Sequence, residues 1–347
     1  MIYLNSDYMA GAHPQVMSAL NQTNLLHTPG YGEDEFSSRA KSLILKECGI
    51  PDGEVFFLMG GTQTNAVVIG RLIERGEGVI ATDVSHIAVH EAGAIEFSGH
   101  KVLTMSNRDG KLEAAEIDRY ITEFYKDDTN PHMVRPAMVY LSFPTELGSL
   151  YSREELKDIY EVCKRWEIPL YVDGARLAYG LAASAGSLTL NDLSRLCDVF
   201  YIGGTKCGAL FGEAVVTRHP LYLKRFFTLM KMHGALLAKG RLLGVQFEAL
   251  FSDGLYFRIG AHAVDLALEL KKVFLNHGFK PAFDSPTNQQ FFTLPNSLIK
   301  HLRSEVSFDL WGPEVPSSST IRLVTDWTTT PQDVAKLDSI LSDYSYE

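Results

Sequence analysis

A chain of 347 residues is long enough for about two domains, and its 46% apolar content supports a large buried core. A formal net charge of −10, spread along the chain, argues for solubility and leaves no basic stripe to neutralise nucleic-acid phosphates. Residues 1–7 lack the basic-then-apolar order of a signal peptide, and no apolar run approaches the ~20 residues of a membrane span. Cys48, Cys163, Cys197 and Cys207 form neither paired motifs nor a framework, so free thiols in a reducing, cytoplasmic setting are expected.

Apolar runs rich in Val, Ile, Phe and Tyr predict strands over 55–59, 78–81, 102–105, 137–142, 170–172 and 199–202. Between them, helical periodicity predicts helices over 64–74, 86–97, 114–124 and 153–166. The last opens on Ser152 with acidic residues in its first turn. This alternation implies an α/β fold, a largely parallel sheet covered by helices on both faces. From about residue 223 the pattern changes to helices over 239–251 and 256–277 and short strands over 290–294, 306–310 and 320–324. An amphipathic helix over 331–341 closes the chain, and Pro313, Pro316 and residues 317–319 mark a surface loop. Residues 1–245 read as a large domain and 246–347 as a smaller α+β domain.

Ligands of parallel sheets bind beyond the carboxyl ends of the strands, so the residues just after each strand decide the chemistry. Gly60-Gly61-Thr62-Gln63-Thr64-Asn65 follows a strand and opens a helix, where free N–H groups and the dipole suit an anion. It lacks the Gly-Lys-Ser/Thr ending of a nucleotide loop, and alone it is equally a tight turn. Asp173-Gly174-Ala175-Arg176 follows the strand over 170–172; Asp173 is either a helix cap or an ionised group kept so by Arg176. Gly203-Gly204-Thr205-Lys206-Cys207-Gly208 presents one lysine among glycines, either on a surface loop or facing a ligand with its pKa lowered.

Together the three motifs supply what pyridoxal phosphate requires: an anion cradle, a lysine for the aldehyde and a carboxylate for the ring nitrogen. Asp173 and Lys206 are 33 residues apart (206 − 173), room for one helical crossover. His86 opens a helix after the strand over 78–81, where an aromatic ring can stack on a pyridine. His86 and His90 are four apart but lack the His-Glu-x-x-His order and a third ligand, so no metal is expected. Cys207 reads as a small packing residue.

With Tyr31-Gly32-Glu33-Asp34, Ser85-His86, Glu91-Ala92-Gly93 and Asp173-Gly174-Ala175-Arg176, the chain resembles a threonine aldolase. That family lies in the aspartate-aminotransferase-like, fold type I group of pyridoxal-phosphate enzymes, and the likeness runs from Asn5-Ser6-Asp7 to Arg322-Leu323-Val324-Thr325-Asp326-Trp327. The resemblance implies that Lys206 holds the cofactor as a Schiff base, Asp173 its ring nitrogen, and His86 its ring face. It implies phosphate contacts from Gly61 and Thr62 with help from Thr205, and a carboxylate grip by Ser6, Arg176 and Arg322. It also implies a homodimer or homotetramer with shared active sites, Tyr31 and Lys231 lying at the subunit border.

The activity so implied is retro-aldol cleavage of a β-hydroxy-α-amino acid, such as L-threonine or L-allo-threonine, to glycine and an aldehyde, with His86 as base. A β-eliminating lyase or aminotransferase on the same scaffold, or a non-catalytic ligand-binding relative, are the alternatives. Two positions depart from the family. Thr145-Glu146-Leu147 stands where many members carry Thr-His-Asn, so Glu146 either acts on the substrate hydroxyl or faces solvent in a shifted loop. Ala238 stands where a neighbouring subunit's phosphate-binding arginine is expected, with Lys239 one position on.

Overall fold

The computed structural model describes residues 1–344 apart from Ala185 and Glu314. The main sheet runs in the order Glu54–Leu58, Glu213–Thr217, Val199–Gly203, Leu170–Asp173, Pro136–Ser142, Gly78–Thr82, Lys101–Met105. The pairs from Val199–Gly203 to Lys101–Met105 are parallel, whereas Glu213–Thr217 is antiparallel to both of its neighbours. Successive side chains feed two cores. Along Pro136–Ser142, Val139 and Leu141 enter one core while Met138 and Tyr140 enter the other. Burial on both faces explains why these strands read as continuous apolar runs rather than alternating ones.

The helix Arg153–Arg165 follows from its sequence. Ser152 accepts from the Glu155 N–H at 3.1 Å, and Glu155 accepts from the Ser152 N–H at 2.7 Å. Leu156, Ile159, Val162 and Cys163 share its buried face. All four cysteines are free and buried.

A second, antiparallel sheet holds Asp309–Leu310, Ser318–Val324, Gln289–Pro295 and Pro281–Phe283. Its core includes Phe292, Leu298, Leu323 and Leu337, and also Ile2 and Leu4 from the start of the chain. The helix Leu255–Asn276 serves both regions, with Ile259 and Val264 in a core of the main sheet and Leu270 and Phe274 in the smaller one. Among the described residues no helix is long and apolar enough to cross a membrane.

Three expectations change. The helix read over 86–97 is two short helices, His86–Val89 and Ala94–Phe97, because Ala92 (φ 52°) and Gly93 (φ 74°) are left-handed. The strand over 306–310 splits: Val306–Ser307 pairs with Ile2–Tyr3, and Asp309–Leu310 pairs with Ser318–Val324. That last strand takes in Ser318 and Ser319, which had read as loop.

Candidate active site

A cavity of about 1070 Å³ opens at the carboxyl ends of the central strands, and all predicted site residues line it except Ser6 and Tyr31. Ser6 is buried beside Asp7, and Tyr31 is partly exposed outside the cavity.

Lys206 follows the strand Val199–Gly203 in a turn that needs glycine, since a Cβ on Gly204 would lie 2.7 Å from the Gly212 carbonyl. Tyr179 Oη donates to the Lys206 carbonyl. Burial pushes the Lys206 ammonium below its ordinary pKa and the Arg176 charge adds to this, while Asp7, Asp173 and Glu213 oppose it. Beside it, Cys207 is fully buried, and burial pushes its thiol up to about 12.

Asp173 ends its strand with three donors on its carboxylate. Tyr140 Oη (2.6 Å) and Asn65 Nδ2 (2.9 Å) donate to Oδ2, and the Ala175 N–H (2.9 Å) donates to Oδ1. Arg176 does not pair with it, contrary to what their adjacency suggested. The turn carries Arg176 to Asp7, where Nε and Nη2 meet the two carboxylate oxygens at 2.7 and 2.9 Å. Burial alone would raise the Asp7 carboxyl, but Arg176, Lys206 and hydrogen bonds from Arg176 and Asn288 hold it below its ordinary value.

Asn65, one turn into its helix, bridges the site. Its Nδ2 also donates to Glu91 Oε1 at 2.8 Å, and its Oδ1 accepts from Tyr171 Oη at 2.8 Å. Glu91 Oε1 in turn lies 2.7 Å from His86 Nδ1. The solvent-facing alternative for Glu146 does not hold. It lines the cavity and its Oε1 accepts from the His86 backbone N–H (2.8 Å) and Ser142 Oγ (2.6 Å). Burial pushes its carboxyl above the ordinary range, and Asp173 adds to this.

Arg322 reaches the cavity from the second sheet, held by Asp309 at 3.1 Å, while its Nε is buried without a partner. Burial and the nearby Arg176 charge hold this guanidinium below its ordinary pKa. Two like charges and an orphaned donor suit a carboxylate ligand. Trp311 packs under Arg322, 5.2 Å from guanidinium carbon to ring centre.

The helix Gly61–Leu72 starts at Gly60 with no side-chain cap, and a Cβ on Gly61 would stand 3.1 Å from Tyr201 Oη. Bare first-turn amides, a half-buried lysine and a fixed carboxylate on one cavity fit pyridoxal phosphate. Reading the sequence missed Glu213, Tyr8, Asp7 and the Asn65 bridge. Glu213 left a signal, a charged residue heading the apolar run Ala214-Val215-Val216 just after the lysine turn. Burial and, further, Asp173 push its carboxyl up to about 8 against the pull of Thr205, Lys206 and the Gly204 N–H.

Fold and cavity together define a fold type I pyridoxal-phosphate enzyme. The family model described as beta-eliminating lyase matches residues 4–280. Low specificity L-threonine aldolases of a Pseudomonas species and of Pseudomonas aeruginosa are each 30% identical, over 86% of this chain and 86% of theirs. The threonine aldolase structure of Leishmania major matches with a TM-score of 0.95 at 38% identity, over 99% of both chains. The chain belongs to the beta-eliminating lyase family, in its threonine aldolase branch. A variant of the Thermus thermophilus aspartate aminotransferase shares the fold alone, at 13% identity and a TM-score of 0.72 over 99% of this chain and 91% of that one.

Proposed function

We propose that this lyase cleaves a β-hydroxy-α-amino acid, such as L-threonine or L-allo-threonine, to glycine and an aldehyde. The observation that carries the reading is one cavity walled by a half-buried lysine, a three-donor carboxylate and two guanidiniums. Lys206 would hold the cofactor aldehyde, Asp173 its ring nitrogen, His86 its ring face, and Gly61, Thr62 and Thr205 its phosphate. When bound, pyridoxal phosphate draws the electrons of a bond broken at Cα into its protonated ring.

The chain's own groups do the rest. Arg322 and Arg176, with help from Ser6, would grip the substrate carboxylate, which sets the Cα bond that breaks. Glu91 keeps a proton on His86 Nδ1, leaving Nε2 to accept the proton of the β-hydroxyl. Glu146, tied to Ser142 and the His86 backbone, is the second acceptor for that proton. Burial favours the neutral amine of Lys206, the form that attacks a carbonyl. An aminotransferase, a β-eliminating lyase acting on other leaving groups, and a non-catalytic relative are less favoured, since the two relatives that are 30% identical over 86% of the chain are named threonine aldolases.

We also infer a cytoplasmic homodimer or homotetramer whose subunits border each other's cavities, built on a division near residues 245–246. Lys231 Nζ stands 4.6 Å from the Tyr31 ring centre, and both residues lie outside their own chain's cavity, as subunit-border residues would. The Tyr31 N–H bonds the Ala238 carbonyl at 3.0 Å, so exposed Lys239 shares that border and would reach a neighbour's phosphate. Leu25 and Phe97, 87% and 93% exposed, offer apolar surface for a partner to cover.

Absorption spectroscopy and an aldehyde assay test the reading. Added pyridoxal phosphate gives a visible band fixed by borohydride, and Lys206→Ala removes it. Glycine and aldehyde appear from threonine, allo-threonine or phenylserine. A band without product release overturns the cleavage and leaves the cofactor standing.

A further inference from the structure

Thr205 has one hydroxyl hydrogen to donate. Its Oγ1 lies 2.8 Å from Glu213 Oε1, and it accepts the Gly212 N–H at 3.0 Å. Glu213 Oε2 accepts the Gly204 N–H at 3.1 Å. In the sheet Glu213 stands opposite both Leu58 and Gly203, between the strand that runs into the Gly60–Gly61 turn and the strand that leads to Lys206. Glu213, Thr205 and the glycine turn line the same cavity.

An ionised Glu213 would spoil this corner for a phosphate twice over. It sets a negative charge against the anion, and it takes the one hydrogen of Thr205, leaving lone pairs toward the ligand. A neutral carboxylic acid reverses both effects. It donates its own proton to Thr205 Oγ1 and frees the threonine hydrogen for the phosphate. We propose that Glu213 is a positioning residue for the cofactor phosphate, acting as the neutral acid through Thr205, and that its ionisation weakens phosphate binding. This rests on the pyridoxal-phosphate reading of the cavity.

The surroundings favour the neutral form. Burial pushes Glu213 up to about 8 and Asp173 adds to it, while Lys206 and the hydrogen bonds from Thr205 and Gly204 pull the other way. The other titratable groups facing it are Tyr171 and Tyr201 from the strands, Cys207 beside the lysine, and Tyr256 from the helix Leu255–Asn276. Burial pushes all four above their ordinary values, so they stay uncharged. Glu213 and Lys206 are therefore the groups to separate by experiment. Below about 8 the acid is neutral and the phosphate is held; above it the carboxylate repels the phosphate.

The test uses the full chain freed of cofactor and methyl phosphate, a dianion above about pH 7 that has no ring and no aldehyde. Its dissociation constant is followed by 31P NMR from about pH 7 to about 9.5. The wild-type constant should rise by up to about tenfold per pH unit above about 8. Glu213→Gln, whose amide donates to Thr205 as the neutral acid does, should hold the constant within about twofold over the same span. A wild-type constant that is flat with pH overturns the proposal without needing any variant. A slope that persists in Glu213→Gln belongs to Lys206 and overturns it as well. If either happens while pyridoxal phosphate still gives its band, the cofactor reading stands; absence of the band defeats that reading itself.

Discussion

Asp7 and Glu213 are both buried carboxyls near Lys206, and their neighbours drive them in opposite directions. Burial raises Asp7, but Arg176, Lys206 and two hydrogen-bond partners outweigh it, so its stabilisation is present above its ordinary pKa and lost as pH falls through the depressed one. For Glu213 burial wins. Its stabilisation is full below its ordinary 4.5 and is lost as pH rises through about 8. The urea midpoint of the cofactor-free protein should therefore fall between about pH 5 and pH 8.5. Glu213→Gln should flatten that fall. Arg176→Lys tests the other carboxyl: it keeps a charge near Asp7 but loses the bidentate geometry, worth about 1–3 kcal/mol, or roughly 5- to 150-fold. The loss should appear mainly in KM for the amino acid and leave the cofactor band in place. Lys206, Asp173 and the glycine turn were legible because each directly follows an apolar strand. Asp7 as the partner of Arg176 was not, because the two lie 169 positions apart and only the fold brings them together. Nor was the Asn65 bridge, since an asparagine on a helix gives no sign of the two carboxylates across from it.

The break between His86–Val89 and Ala94–Phe97 is what makes the histidine usable. In one continuous helix, residues five apart point about 140° away from each other, so Glu91 would leave His86 Nδ1. The helix ends at His90 (φ −120°, ψ 10°), which turns Glu91 back to meet both His86 and Asn65, and the left-handed Ala92 and Gly93 then lead the chain away into the second helix. Gly93→Ala should cost about 1–2 kcal/mol in stability through that backbone conformation. It should also lower kcat, by about tenfold or more, as Glu91 shifts from His86. Ser152→Ala removes the cap of a covering helix far from the chemistry and should cost about 1 kcal/mol with kcat unchanged. Denaturant melts and steady-state kinetics on both variants separate the two effects, and an unchanged kcat in Gly93→Ala defeats the orienting role of Glu91. Elements with a strong local period, such as the helix Arg153–Arg165, were read within a residue or so. The break escaped because the apolar spacing continues across it. The strand Glu213–Thr217 escaped because it turns back from its neighbour without a covering helix between them.

Across the whole molecule, the proposed substrate clamp is assembled from three separate places. Arg176 stands in the turn after the strand Leu170–Asp173 of the main sheet, Arg322 on the strand Ser318–Val324 of the second sheet, and Asp7 on the segment that follows the strand Ile2–Tyr3. Lys206 and Asp173 rest on the main sheet alone. The first residues are tied into the smaller core. Leu4 is 1% exposed there, its N–H bonds the Ser307 carbonyl at 2.8 Å, and its carbonyl accepts the Val324 N–H at 2.9 Å. Leu4 is thus anchored at Val324, two residues from Arg322 along the strand, and this anchor helps set where Asp7 meets Arg176. Leu4→Ala leaves the backbone bonds possible and removes the packing, for a loss of about 2–5 kcal/mol. Because the loosened segment carries Asp7 and not the cofactor groups, KM for the amino acid should rise several-fold while the affinity for pyridoxal phosphate stays near that of the wild type. Kinetics together with an absorbance titration of the cofactor decide the matter. Equal loss of both affinities would mean that the smaller core supports the entire cavity, and that the clamp is not the separate device its three-part origin implies.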